Sequence, residues 1–133
     1  MMGNRRRDTL PEVRLRSALH RRGARFRVDF PIRPDDGRPI RVDVAFTRRR
    51  LAVFVDGCFW HGCPVHGRQP KANNKFWSAK IERNRARDTR DVDRLGGAGW
   101  TVLRLWEHVS AHEGADAVLA ALGSIAQEVR SIR

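Results

Sequence analysis

The chain is poor in cysteine, poor in acidic residues and free of long apolar runs, and each scarcity excludes a class of protein. No stretch approaches the roughly 20 apolar residues that a membrane-spanning helix needs. The start, Met1-Met2-Gly3-Asn4-Arg5-Arg6-Arg7, carries charge but no apolar core, so it does not read as a secretory signal and a cytoplasmic chain is expected. Two cysteines allow one disulfide at most. In a cytoplasmic chain with histidines close by, a shared metal is the better reading. Asp and Glu number 15 against 27 Lys and Arg, a net charge of +12. A surface that positive favours a polyanion, because releasing counterions from phosphates drives basic proteins onto nucleic acid. A GC-rich genome could raise the arginine content, but it does not by itself leave the acids so outnumbered. The arginines lie on no single amphipathic helix, which argues against an anionic membrane surface. With no repeat and no internal boundary, the 133 residues read as one domain, 1–133, long enough to bury a core without staples.

What is present is a mixed pattern of strands and helices. Thr9-Leu10-Pro11-Glu12 has capping-box spacing and predicts a helix over residues 11–22, with Val13, Ala18 and Leu19 inward and Gly23 stopping it. Strands are expected over 24–30, 40–46 and 51–56, joined by an Asp35-Asp36-Gly37 turn and by Arg48-Arg49-Arg50. Residues 74–95 read as a highly charged helix with Trp77, Ile81, Val92 and Leu95 on a narrow apolar stripe. A fourth strand over 100–106 and an amphipathic helix over 115–130 close the chain. The order implies an α/β fold, a mixed β-sheet flanked by helices.

The densest segment is Val53-Phe54-Val55-Asp56-Gly57-Cys58-Phe59-Trp60-His61-Gly62-Cys63-Pro64-Val65-His66. It reads as a buried strand that breaks at Gly57 into a loop rich in possible ligands. Cys58, Cys63 and His66 supply three zinc ligands within nine residues, and a structural Zn²⁺ needs a fourth. Among His20, His61, His108 and His112, His108 is favoured because it follows the last strand directly. Reduced buried cysteines with surface histidines are the bland alternative. Phe59 and Trp60 are adjacent on an extended segment and cannot both face a core. Apolar wedges of this kind unstack duplexes, although they could simply cover the metal loop.

Asp43 interrupts an apolar strand, and Asp56 ends the next one. An acid in such a strand is costly unless it binds a cation or is well hydrogen-bonded. A carboxylate at an open strand end suits Mg²⁺, which keeps waters and takes few protein oxygens. His61 could activate water for attack on phosphorus, and Glu12 could reach the same edge. A salt-bridged Asp43, a zinc-bound His61 and a merely capping Glu12 remain open alternatives.

At these residues the chain resembles the very-short-patch repair (Vsr) endonucleases, strand-nicking enzymes of the restriction-endonuclease-like fold. The resemblance runs from about Arg7 to His108 through six landmarks in order. They are Asp8-Thr9-x-x-Glu12, Arg38-Pro39-x-x-Val42-Asp43, Val53 to His61, Phe76-Trp77-x-x-Lys80-Ile81, Arg87-Asp88-x-Arg90-Asp91 and Gly99-Trp100-x-Val102-Leu103-x-x-Trp106-Glu107. The resemblance implies a nick on the 5′ side of the thymine in a T·G mismatch in double-stranded DNA. It implies that Asp43 and the backbone carbonyl of Val55 bind catalytic Mg²⁺, that His61 is the catalytic histidine and that Glu12 assists. Phe59 and Trp60 would insert beside the mismatch, and Cys58, Cys63, His66 and His108 would hold Zn²⁺.

The departures are specific. Asp56 stands where the best-known members have a second histidine, so it is a candidate catalytic residue or Mg²⁺ ligand. His108 replaces a cysteine, and the Cys63-to-His66 interval is one residue longer. A third wedge residue, a methionine of the N-terminal arm, would fall at Met1 or Met2. Arg5 to Arg7, Arg48 to Arg50, Lys80, Arg83, Arg85 and Arg87 could cradle phosphates. A monomer at the nucleoid, with mismatch-repair proteins as candidate partners, is expected. A nuclease of the same fold with another DNA target, and a zinc-stabilised DNA-binding module without catalysis, are the competing readings.

Overall fold

The computed structural model describes residues 10–57 and 74–132, the side chains of 74–77 and 126–132 excepted. In order, these residues form α1 (Leu10–Arg21), β1 (Arg27–Ile32), β2 (Ile40–Phe46), β3 (Leu51–Asp56), α2 (Asn74–Gly97), β4 (Thr101–Trp106) and α3 (Ala111–Ile132). The strands make one sheet of order β1-β2-β3-β4. β1 and β3 run antiparallel to β2, and β4 runs parallel to β3. The parallel pair requires a crossover, and α2 lies within it. The expected mixed α/β sheet with flanking helices is therefore what forms.

Alternation along the strands divides the core in two. Val44, Phe46, Leu51 and Val53 face α1 and α3, where they meet Leu15, Leu19, Ala115 and Val118. Ala45, Ala52 and Phe54 face the other way and pack with Leu95 of α2. Leu19, Leu51 and Leu95 are fully buried, and each contributes about 2 kcal/mol relative to an exposed side chain.

Several boundaries differ from the sequence expectation because cap hydrogen bonds claim the terminal residues. Ala24 donates its N–H to the Leu19 carbonyl, and Gly23, at φ 78°, donates to that of His20. This left-handed cap ends α1 and keeps residues 24–26 out of the sheet, so β1 starts at Arg27. β1 also runs on through Pro31, which lies opposite Arg41 and is tolerated because β1 is an edge strand. α3 begins four residues before its expected start, because Ser110 caps it. The Ser110 Oγ accepts from the Glu113 N–H at 3.1 Å and donates to the Glu113 carboxylate at 3.0 Å. On α1 the inward stripe is Glu12, Leu15, Ala18 and Leu19, whereas Val13, expected inside, is 40% exposed. Spacing of three and four residues from Leu15 and Leu19 leads back to Glu12 and leaves Val13 on the outer side.

Candidate active site

Asp43 sits where backbone pairing opens on both sides. The β1–β2 pairing runs from Val28 opposite Val44 to Phe30 opposite Val42 and skips the Asp29–Asp43 rung between them. Asp29 has φ 46°, a left-handed value that takes it out of extended geometry. Arg41 holds it there, reaching its carbonyl at 3.3 Å and its carboxylate at 3.1 Å. On the other side the β2–β3 ladder ends at Val44–Val53. Past that pair, the Val55 N–H donates to Asp43 Oδ2 at 2.7 Å. A side-chain oxygen thus takes a donor that regular pairing would have satisfied, and the bond favours the ionised carboxylate. The part-buried acid inside an apolar strand is hydrogen-bonded, as its position demands.

Phe54, Asp56 and Arg104 project from the same face of the sheet by register and alternation, and Asp43 lies near enough for its charge to act on Arg104. Asp56, only 8% exposed, accepts from Arg104 Nε and Nη2 at 2.8 Å each. This is a bidentate fork, the strong form of a carboxylate–guanidinium contact. The same Nη2 lies 3.4 Å from Asp88 Oδ2 on α2. The guanidinium also stacks over the Phe54 ring, 4.4 Å from its centroid. Burial alone would lower the Arg104 pKa. The hydrogen bond to Asp56, followed by the charges of Asp56, Asp88 and Asp43, more than reverses this, and the pKa is raised. Arg104 is a fixed cation.

The sequence does not single out Arg104, and it names Asp88 only within the Arg87-Asp88-x-Arg90-Asp91 landmark. The signal for Arg104 was the one that marked Asp43: a charge inside an apolar strand, Val102-Leu103-Arg104-Leu105.

Glu12 is buried at the first turn of α1. Its neighbours Pro11 and Leu15 line a crevice with Val55, Leu105 and Trp106, so that turn abuts the end of β3 that carries the Asp43 contact. His108 is exposed just past β4. The Glu107 N–H donates to the Asp56 carbonyl at 2.9 Å, which pins that exit beside the end of β3. Cys58, Phe59, Trp60, His61, Cys63 and His66 lie outside the described residues. Among the described residues no three His, Cys, Asp or Glu side chains are grouped as a metal site. The zinc centre expected as part of the fold is accordingly not seen among them.

A carboxylate hydrogen-bonded at a broken sheet rung, with a fixed guanidinium nearby, sits in a mixed α/β sheet flanked by helices. The comparisons give the particular class. The family model described as DNA mismatch endonuclease Vsr matches residues 1–66. The type II nicking enzyme V.NaeI of Lentzea aerocolonigenes is 50% identical over 122 residues, 92% of this chain and 74% of that enzyme. The type II nicking enzyme V.XorIIP of Xanthomonas oryzae pv. oryzae is 44% identical over 108 residues, 77% of this chain and 73% of its own length. The DNA mismatch endonuclease Vsr of Escherichia coli K12 is 41% identical over 103 residues, 76% of this chain and 62% of its own. The chain belongs to the Vsr family of DNA endonucleases.

Proposed function

We propose that this endonuclease is a Mg²⁺-dependent nickase that cuts 5′ of the thymine in T·G mismatches. The observation that carries the reading is the Asp43 carboxylate, bonded to Val55 N–H at the opened end of the β2–β3 ladder. An oxygen donor set of this carboxylate and the Val55 carbonyl fits a hard cation that retains most of its waters. Bound Mg²⁺ supplies charge neutralisation at the scissile phosphate and a more acidic attacking water. Asp43 orients that site, and the Val55 N–H holds the carboxylate in place. His61, assigned by the family resemblance, takes the proton from water, and Glu12 supports the same strand end from α1.

Phe59 and Trp60 are assigned to wedging the duplex beside the mismatch. Cys58, Cys63, His66 and His108 are assigned to structural Zn²⁺. The Glu107–Asp56 bond supports this set, because it ties the chain next to His108 to a point two residues before Cys58.

The test is nicking of a labelled T·G duplex in Mg²⁺, beside other mismatches and a fully paired duplex. A single nick 5′ of the thymine, lost by at least 100-fold in Asp43→Ala, a typical cost of misplacing catalytic geometry, is expected. Wild-type speed in Asp43→Ala would remove that residue from the chemistry. Equal rates on all duplexes would favour the second reading, a nuclease of this fold with another target. The names of the relatives, several of them type II nicking enzymes, keep that reading in view.

A further inference from the structure

We infer that Arg104 is a DNA-contacting residue that donates to a backbone phosphate from the groove between β4 and α2, and that Asp56 is its positioning residue. The inference rests on reading this sheet edge as the one that meets DNA. Three observations carry it.

The first is which guanidinium edge is occupied. Nε and Nη2 are taken by Asp56, and Nη2 also by Asp88. Nη1 has no hydrogen-bond partner among the described residues. It is not sealed in the core either, since no buried side-chain nitrogen or oxygen among those residues lacks a partner. The side chain is 25% exposed. Two N–H donors on a rigidly held cation therefore reach solvent.

The second is where they reach it. Asp56, Arg85, Asp88, Thr89, Arg104 and Trp106 line an open groove of about 330 Å³ on that face of the sheet. Arg85 brings a second cation to its wall. A phosphate takes up the unused Nη1 donors without disturbing the Asp56 fork, since the fork uses the opposite edge of the planar group.

The third is the cost of holding the group still. A long arginine side chain loses rotamer freedom when it binds a phosphate, which weakens the contact. Here the Asp56 fork and the stacking on Phe54 remove that freedom before DNA arrives. The same guanidinium offsets part of the negative charge that Asp56 and Asp88 bring to the groove. Asp56 then acts through Arg104 rather than on the substrate.

The experiment measures affinity for T·G and fully paired duplexes against salt, without added divalent ions so that neither is cut. In Arg104→Gln both affinities fall, and the slope of log affinity against log salt becomes shallower by about 0.9, the value for one lost phosphate contact. The double variant Asp56→Asn with Arg104→Gln removes both charges of the fork together, and the same shallower slope is expected. Asp56→Asn alone keeps the cation but loosens it, so the slope stays while both affinities fall. An unchanged slope in folded Arg104→Gln and in the double variant would make Arg104 a structural brace and overturn the inference, as would failure of both to fold. A shallower slope with no T·G nicking by the wild type would leave this contact standing and remove the proposed mismatch specificity instead.

Discussion

Arg94 fastens the end of α2 to the β1–β2 turn through short contacts. It donates to Asp35 at 2.9 Å from Nε and 2.6 Å from Nη2, and to the Arg38 carbonyl at 2.6 Å. The Gly37 N–H adds a bond to Asp35 Oδ1 at 2.8 Å. The Arg94 hydrogen bond, and after it that of the Gly37 amide, hold the Asp35 carboxyl at about 2 against an ordinary 3.8. A carboxyl whose folded pKa is depressed contributes stability above its unfolded pKa and loses it as pH falls through the folded one. Wild type is therefore expected to be more stable than Asp35→Asn at neutral pH. That gap should close as pH falls from near 4 to near 2. Urea melts of both proteins at intervals across that window check it, and a gap that persists unchanged at pH 2 would dissociate the turn from Asp35 ionisation.

At the scale of elements, α1 and α2 end in the same device. Gly99, at φ 87°, donates to the Gly96 carbonyl and Trp100 to that of Leu95, the pattern that Gly23 and Ala24 make at the end of α1. Trp100 then packs in the cluster that holds Leu95, the apolar contact that accompanies such caps. A side chain at a left-handed position is strained, and an alanine Cβ at 99 would also come within 3.2 Å of Arg50 Nη1. Gly99→Ala is expected to cost about 1 kcal/mol, a fall in Tm of about 4 °C for a chain of this size. Calorimetry checks it, and an unchanged Tm would show that the cap is dispensable.

These same elements show what could be read in advance. Strand and helix order followed from periods of two and of three to four, and all four strands lie within three residues of their expected ends. Boundaries moved where a cap bond claimed a residue, as the Ser110-x-x-Glu113 box does at the start of α3. Asp43 was legible because an acid in an apolar strand is conspicuous. Arg104 was not, because one arginine among 27 basic residues draws no attention and its partner Asp56 is 48 positions away. Nonlocal pairing is what a linear pattern does not encode.

At the scale of the molecule, charge and chemistry are separated. Arg48, Arg49 and Arg50 are exposed in the turn that starts β3, while Asp56 ends it. Five steps of about 3.3 Å place the turn roughly 17 Å from the carboxylate edge, beyond a Debye length of about 8 Å at physiological salt. Those arginines act only weakly on the carboxylate edge, but they add to the field of a +12 chain. That field draws any duplex, matched or not, and phosphate contacts carry no sequence information. Arg48→Gln combined with Arg49→Gln is therefore expected to weaken T·G and fully paired duplexes by the same factor. The ratio between the two affinities, and the single-turnover nicking rate on saturated T·G duplex, should both stay at the wild-type value. Fluorescence anisotropy at two salt concentrations and a rapid-quench time course measure the two quantities. A fall in the nicking rate would mean that the turn reaches the reacting strand.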